Sequence, residues 1–264
     1  MIITSLQNER VKDLVRLRDR RHRDRTKTFL IEGFREISRA VGAGIHIETL
    51  YICPSMFLGP NEGELISALE SRGTEIVELG DAPFRKVSYR DRPEGLLAVA
   101  PQFGTGLGDL TLSATPLVLV AEAIEKPGNL GTMLRTADAV GADAVIAADA
   151  TTDPFNPNVV RASTGTLFTV PLAIASTPQT IEWLRAAGVS IVATTPDTDL
   201  ELWEADLNRP TAVVVGAEQY GLSEAWLDAA AVRVRIPMAG QADSLNAAMA
   251  AGIVLFESVR QRRR

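Results

Sequence analysis

The sequence predicts an α/β protein in two parts, a small α/β unit followed by a mostly parallel sheet with helices on both faces. Three observations carry this. Continuous apolar runs such as LVLVA (117–121) and TAVVV (211–215) alternate with helical patterns, the order expected of a parallel sheet buried on both sides. The stretch PQFGTGLGDLTLSATP (101–116) is dense in turn formers and has no apolar periodicity, which marks a linker. The 264 residues, 46% hydrophobic and 23% charged, hold ample material for a core. The expected organisation is a first domain over 1–104, a linker over 105–116 and a second domain over 117–264.

Element by element, a basic helix is expected near 5–21, then a strand at 28–33 ending on Gly33. A helix follows with Phe34, Ile37 and Val41 on one face, then a strand at 47–53 stopped by Pro54. A helix at 64–73 closes on Gly73, and strands at 75–79 and 95–100 complete the first unit. In the second unit strands are expected at 117–121, 143–148, 167–173, 189–194, 211–216 and 232–236. The helices between and after them fall at 129–140, 156–164, 178–187, 223–230 and 244–260.

Composition narrows the function. No run of about 18 uninterrupted apolar residues occurs, so no membrane span is expected. The opening MIITSLQNERVKDL lacks the basic-then-apolar order of a secretory signal. The single cysteine, Cys53, excludes an intrachain disulfide and a cysteine zinc site, and two histidines are few for a metal centre. A reduced, cytoplasmic setting is expected.

The net charge of −6 hides an asymmetry. Residues 1–39 carry 11 basic and 6 acidic side chains, whereas residues 40–259 carry 12 and 27. Arg16, Arg18, Arg20, Arg21, Arg23, Arg25 and Lys27 cluster in one short stretch. Such a run fits a polyanion partner, RNA above all, because phosphate contacts come mostly from Arg and Lys. A solvated basic helix is the alternative.

The segment GNLGTMLRTADAVGA (128–142) resembles a phosphate-binding turn at first sight. A dinucleotide fingerprint needs G-x-G-x-x-G, but here Gly128 and Gly131 stand three apart, and no Gly-Lys-Ser/Thr ending exists for a Walker loop. Both nucleotide readings fail on spacing. Leu130, Met133, Leu134, Ala137 and Val140 form a helical stripe that should bury, with Arg135 on its flank. An exposed i,i+3 pair with Asp138 would account for that arginine alone.

Two later segments favour a ligand site. In TAVVVGAEQYGLSEAWL (211–227) a buried strand ends in Gly216, and Glu218 follows at its carboxyl end. In RIPMAGQADSLNAAMAAGIVLFE (235–257) a strand ends at Ile236–Met238, and Asp243 with Ser244 stands ready to cap a long helix. Ligands of open α/β sheets bind outside the carboxyl ends of strands, where glycine lets them approach the backbone. Taken singly, Asn129 and Ser244 could be no more than caps, and Glu218 a loop carboxylate.

Together NLGTMLRTA (129–137), VGAEQYGLS (215–223) and IPMAGQADSLN (236–246) resemble the three motifs of the SpoU (TrmH-like) RNA 2′-O-ribose methyltransferases of the SPOUT superfamily, in family order and at family-like spacing. The first unit resembles, more loosely, the small substrate-binding domain in front of many ribosomal-RNA members. The resemblance implies a deep trefoil knot in the second domain, S-adenosylmethionine in the knot loops and a homodimer. It implies ribosomal RNA of the 23S type as substrate; a tRNA substrate, or an RNA-binding module without the reaction, are the alternatives. Asn129, Arg135, Glu218, Ser244 and Asn246 fall on its catalytic positions. Gly216, Ile236 and Leu245 fall on cofactor positions, with Met238 and Thr195 beside them. A guanidinium stays charged in proteins, so Arg135 suits holding phosphate and stabilising a developing alkoxide rather than taking a proton.

Overall fold

The computed structural model describes residues 2–241 and 244–263; Asp243, expected beside Ser244 as a cap, lies outside them. Cα packing groups the chain into two compact units. The first runs to Phe103 and takes in Asp153–Thr169; the second comprises Gly104–Thr152 and Val170–Arg264.

The first unit is built on β1 (Ile2–Ile3), β2 (Thr28–Glu32), β3 (Thr49–Ile52), β4 (Glu75–Leu79) and β5 (Leu96–Pro101), in the order β1-β4-β3-β5-β2. β4 pairs parallel with β1 and β3, while β5 runs antiparallel to β3 and β2. The helices are α1 (Glu9–Arg16), α2 (Arg20–Thr26), α3 (Phe34–Gly42), α4 (Glu62–Glu70) and α5 (Asp81–Val87). The single basic helix expected over 5–21 is two. Asn8 accepts from the Arg10 amide at 2.9 Å and caps α1, and Asp19 accepts from the His22 amide at 3.3 Å and caps α2. A local acceptor at Asp19 thus starts a new helix inside a run that periodicity alone reads as continuous.

Residues 153–169 group with this unit although stretches of the second unit flank them in sequence, and their side chains show why. Phe155 packs on Phe29 and Phe103 with ring centroids 4.9 and 5.0 Å apart, and Phe168 joins the cluster. Asp153 forms a buried ion pair with Arg23 of α2. The segment includes α7 (Pro157–Ser163), capped by Asn156 through the Asn158 amide at 2.9 Å.

The second unit is a six-stranded, fully parallel sheet in the order β11-β9-β10-β6-β7-β8. Its strands are β6 (Leu117–Glu122), β7 (Ala144–Ala148), β8 (Leu172–Ala175), β9 (Ser190–Thr194), β10 (Thr211–Val215) and β11 (Val232–Val234). Its helices are α6 (Pro127–Val140), α8 (Thr177–Ala186), α9 (Glu224–Ala229) and α10 (Ala247–Arg262). β6, β7 and β10 are buried throughout, as their unbroken apolar runs require. Leu107, Leu110 and Leu112 of the expected linker pack against this unit's core, and Asp143 accepts the Ser113 and Leu117 amides at 2.8 Å each. The strand expected from 167 begins only at Leu172, because Gly165 at φ +90° starts a 3-10 turn over 166–168.

α6 shows the helix-end chemistry plainly. Pro127 takes the first turn, where no amide is needed, and Gly141 closes the helix at φ +69°. Of the expected stripe, Leu130, Met133, Leu134 and Ala137 are buried, and Val140 in the last turn is half-buried. Among the described residues, no helix is long and apolar enough to cross a membrane.

Candidate active site

In the second unit, the carboxyl ends of β9 and β10 and the loop after β11 open onto one cavity of about 570 Å³. Gly216, Thr195, Ile236, Met238 and Leu245, the expected cofactor residues, all line it, as do Glu218 and Ser244. β10 delivers its chain end here because its five buried residues leave it no freedom to shift. At Gly216 the backbone turns so tightly that a Cβ would sit 2.1 Å from the Gly221 carbonyl oxygen. Gly221 closes that turn at φ +66°, its amide donating to the Ala217 carbonyl at 2.9 Å. Only glycine at 216 permits this approach, which leaves backbone rather than side chain facing the cavity.

The rim of the cavity carries the polar chemistry. Glu218 accepts from Asn129 Nδ2 at 2.9 Å, from Asn246 Nδ2 and from the Lys126 ammonium. Asn246 also reaches Asn129 Oδ1 at 3.1 Å, so three side chains from three motifs close a ring of hydrogen bonds. The Lys126 and Asn129 hydrogen bonds hold the Glu218 carboxyl below its ordinary range, so it is anionic at neutral pH. On its other side Asn246 Oδ1 accepts the Ala248 and Met249 amides at 3.0 and 3.3 Å. Asn246 is therefore the cap of α10, the role expected of Asp243 and Ser244; the helix begins at 247 because Asn246 bonds both first-turn amides.

Arg135 is exposed on α6 and is not joined to this ring. It stands six residues beyond Asn129, about 9 Å along the helix. An arginine presented to solvent suits an anionic partner.

Sequence reasoning missed two groups here. Lys126 precedes the helix and pairs with Glu218. Glu122, buried at the end of β6, accepts the Ser223 amide at 2.8 Å and so anchors the loop that carries Glu218. A carboxylate ending the run LVLVAE was the available signal, since a buried acid needs a partner.

In the first unit, Arg16, Arg18, Arg20, Arg21, Arg25 and Lys27 are exposed, as a polyanion surface requires. Arg23, expected among them, is instead buried. It is 1% exposed, bonds both Asp153 and the Leu17 and Arg18 carbonyls, and has no guanidinium face left for RNA. Its position on α2 points it inward, toward Asp153, a partner 130 residues away that charge counting cannot see.

The SpoU rRNA Methylase family matches residues 116–256, and the MRM3-like substrate binding domain matches residues 8–98. The chain is 32% identical to the 23S rRNA (guanosine(2553)-2′-O)-methyltransferase RlmP of Bacillus subtilis, over 96% of this chain and 97% of that protein. It is 35% identical to a 23S rRNA (uridine(2479)-2′-O)-methyltransferase of Streptomyces viridochromogenes, over 93% and 87%. The crystal structure of an AdoMet-bound rRNA methyltransferase from Sinorhizobium meliloti superposes with a TM-score of 0.90 at 36% identity, covering 98% of this chain and 97% of that one. With the three motifs gathered at one sheet edge and these likenesses spanning both units, the chain belongs to the SpoU family of RNA 2′-O-ribose methyltransferases.

Proposed function

We propose that the chain methylates a ribose 2′-hydroxyl of 23S ribosomal RNA with S-adenosylmethionine bound in the strand-end cavity. The observation that carries this is the join between cavity and rim: Glu218 lines the first and holds Asn129 and Asn246 on the second. The cavity fits the cofactor. Its volume suits a ligand of that size, and it mixes apolar Ile236, Met238 and Leu245 with polar groups. Thr194 Oγ1, buried against it with no partner among the described residues, is free to hydrogen-bond the cofactor.

Bound there, the cofactor would supply a methyl group on a sulfonium, from which a neutral thioether leaves without acid assistance. The protein's task is to place the ribose oxygen in line and raise its electron density. The Glu218 anion fixes the Asn129 and Asn246 amides, which hold the nucleotide by hydrogen bonds, with Ser244 contributing a hydroxyl from the cavity wall. Arg135 grips the adjacent phosphate and stabilises negative charge as it grows on the 2′ oxygen. The proton leaves to water or to a phosphate oxygen.

The exposed basic side chains of α1 and α2 contribute to the RNA surface. The loops around the cavity thread as the trefoil knot of the family. Met249 and Phe256, 59% and 55% exposed on α10, lie seven residues apart with Ile253 between them, an apolar face that fits a second copy of the chain. The enzyme acts in the cytoplasm as this homodimer. Calorimetric titration with S-adenosylmethionine tests the cavity assignment: one site per chain is expected, and no heat of binding overturns it.

A further inference from the structure

The first unit holds an arrangement that the motifs do not include. Tyr89 follows α5, and its ring has the Arg18 guanidinium 5.8 Å from its centroid and the Arg161 guanidinium 5.9 Å from it. Both arginines are exposed, and the tyrosine is 36% exposed. Two like charges on one ring repel each other, and the ring's quadrupole offsets only part of that. An anion bound there would offset the rest.

The groups are fixed in place before any ligand arrives. The Tyr89 amide donates to Glu32 at 2.7 Å. Arg18 Nη2 donates to the Lys86 carbonyl at 2.9 Å and to the Ser88 carbonyl, which leaves its Nε and Nη1 hydrogens unused by these bonds. Arg161 Nη2 is steadied by Asn158 Oδ1 at 3.3 Å. Asn158 Nδ2 donates to the Tyr89 hydroxyl at 2.8 Å, so the phenol accepts that bond and keeps its own proton to give. Two exposed guanidiniums and one phenolic O–H, all hydrogen-bond donors, are thus gathered around a single ring. Asn158 and Arg161 reach this place because the Arg23–Asp153 pair and the phenylalanine cluster hold residues 153–169 in the first unit.

We propose that Arg18, Tyr89 and Arg161 form a clamp for a backbone phosphate of the RNA substrate, distinct from the methyl-transfer site. The assignment rests on the RNA-methylating function proposed above. Paired guanidiniums recognise phosphate through charge-assisted hydrogen bonds, and a hydroxyl adds direction. Such a contact is indifferent to base identity and sets where the RNA lies on the unit.

The test uses the full-length protein with ribosomal RNA lacking the modification, measuring transfer rate against RNA concentration and binding against salt. Arg161→Ala and Tyr89→Phe are each expected to raise KM for RNA, Arg161→Ala by about tenfold, with kcat and S-adenosylmethionine affinity kept. Arg161→Ala is also expected to lower the slope of log affinity against log salt by about 0.7 to 0.9, one phosphate contact's worth. Arg72→Ala, which removes an exposed charge elsewhere on the same unit, serves as the control with no change in KM. Unchanged KM and slope in Arg161→Ala, with thermal stability intact and the wild type active, overturn the clamp. An inactive wild type instead overturns the underlying function.

Discussion

Asn246 does two jobs with two ends of one amide, and substitution can separate them. Its Oδ1 accepts two first-turn amides of α10, and its Nδ2 donates to Glu218 and Asn129. Asn246→Ala removes both, and loss of the cap costs about 1 kcal/mol of folding stability. It also frees Glu218 and Asn129 from their shared donor, and a lost positioning group of this kind lowers kcat by about 10²-fold. Asn246→Ser keeps a capping oxygen, so stability returns to within a few tenths of a kcal/mol while the amide donor stays lost. Asn246→Asp also caps but sets a second carboxylate against Glu218, which raises the apparent pKa of the pair. Urea denaturation reads the cap, and single-turnover methyl transfer reads the ring. If Asn246→Ser restores transfer together with stability, the ring has no part in the reaction and Asn246 is a cap alone.

Three further outcomes follow from the same geometry. Gly216→Ala places a methyl 2.1 Å from the Gly221 carbonyl oxygen, so the turn must open and calorimetric affinity for S-adenosylmethionine falls more than tenfold; unchanged affinity refutes the cradle. Arg23→Ala leaves Asp153 buried and unpaired, which costs about 3–5 kcal/mol in denaturation; a loss under 1 kcal/mol shows the pair to be unimportant. The folded Glu218 carboxyl lies below its ordinary value of 4.5, so its anion stabilises the fold above that pH, and the contribution is lost as pH falls through the lowered value. The stability difference between wild type and Lys126→Met is therefore present at pH 7 and vanishes in acid; a difference constant with pH contradicts the pairing.

How much of this was legible depended on how local the deciding contact was. The parallel sheet was readable because its strands are buried on both faces and leave unbroken apolar runs. The cavity residues were readable because strand ends, glycine and turn chemistry coincide within each motif. The cap of α10 was misplaced by two to three residues, since Ser244 and Asn246 are equally able caps and only the fold decides between them. The 153–169 segment was unreadable in its placement: Arg23 meets Asp153, and Phe29 meets Phe155, across more than 120 residues. Charge density made all seven basic residues of 16–27 look alike, and burial separates Arg23 from the other six. Tyr89 and Arg161 carried no signal at all, because neither belongs to a motif and their meeting is a product of that same distant packing.

Under the proposed function, Arg135 and the ring around Glu218 act on a ribose 2′-hydroxyl of 23S ribosomal RNA. The most direct measurement is nucleotide-resolution mapping of 2′-O-methyl groups in ribosomal RNA from cells lacking the gene, after incubation with purified protein and S-adenosylmethionine. The wild type is expected to give one new 2′-O-methyl nucleotide in 23S RNA, and Arg135→Ala none although that variant still binds cofactor. A methyl group placed on a base, or full modification by Arg135→Ala, contradicts this assignment.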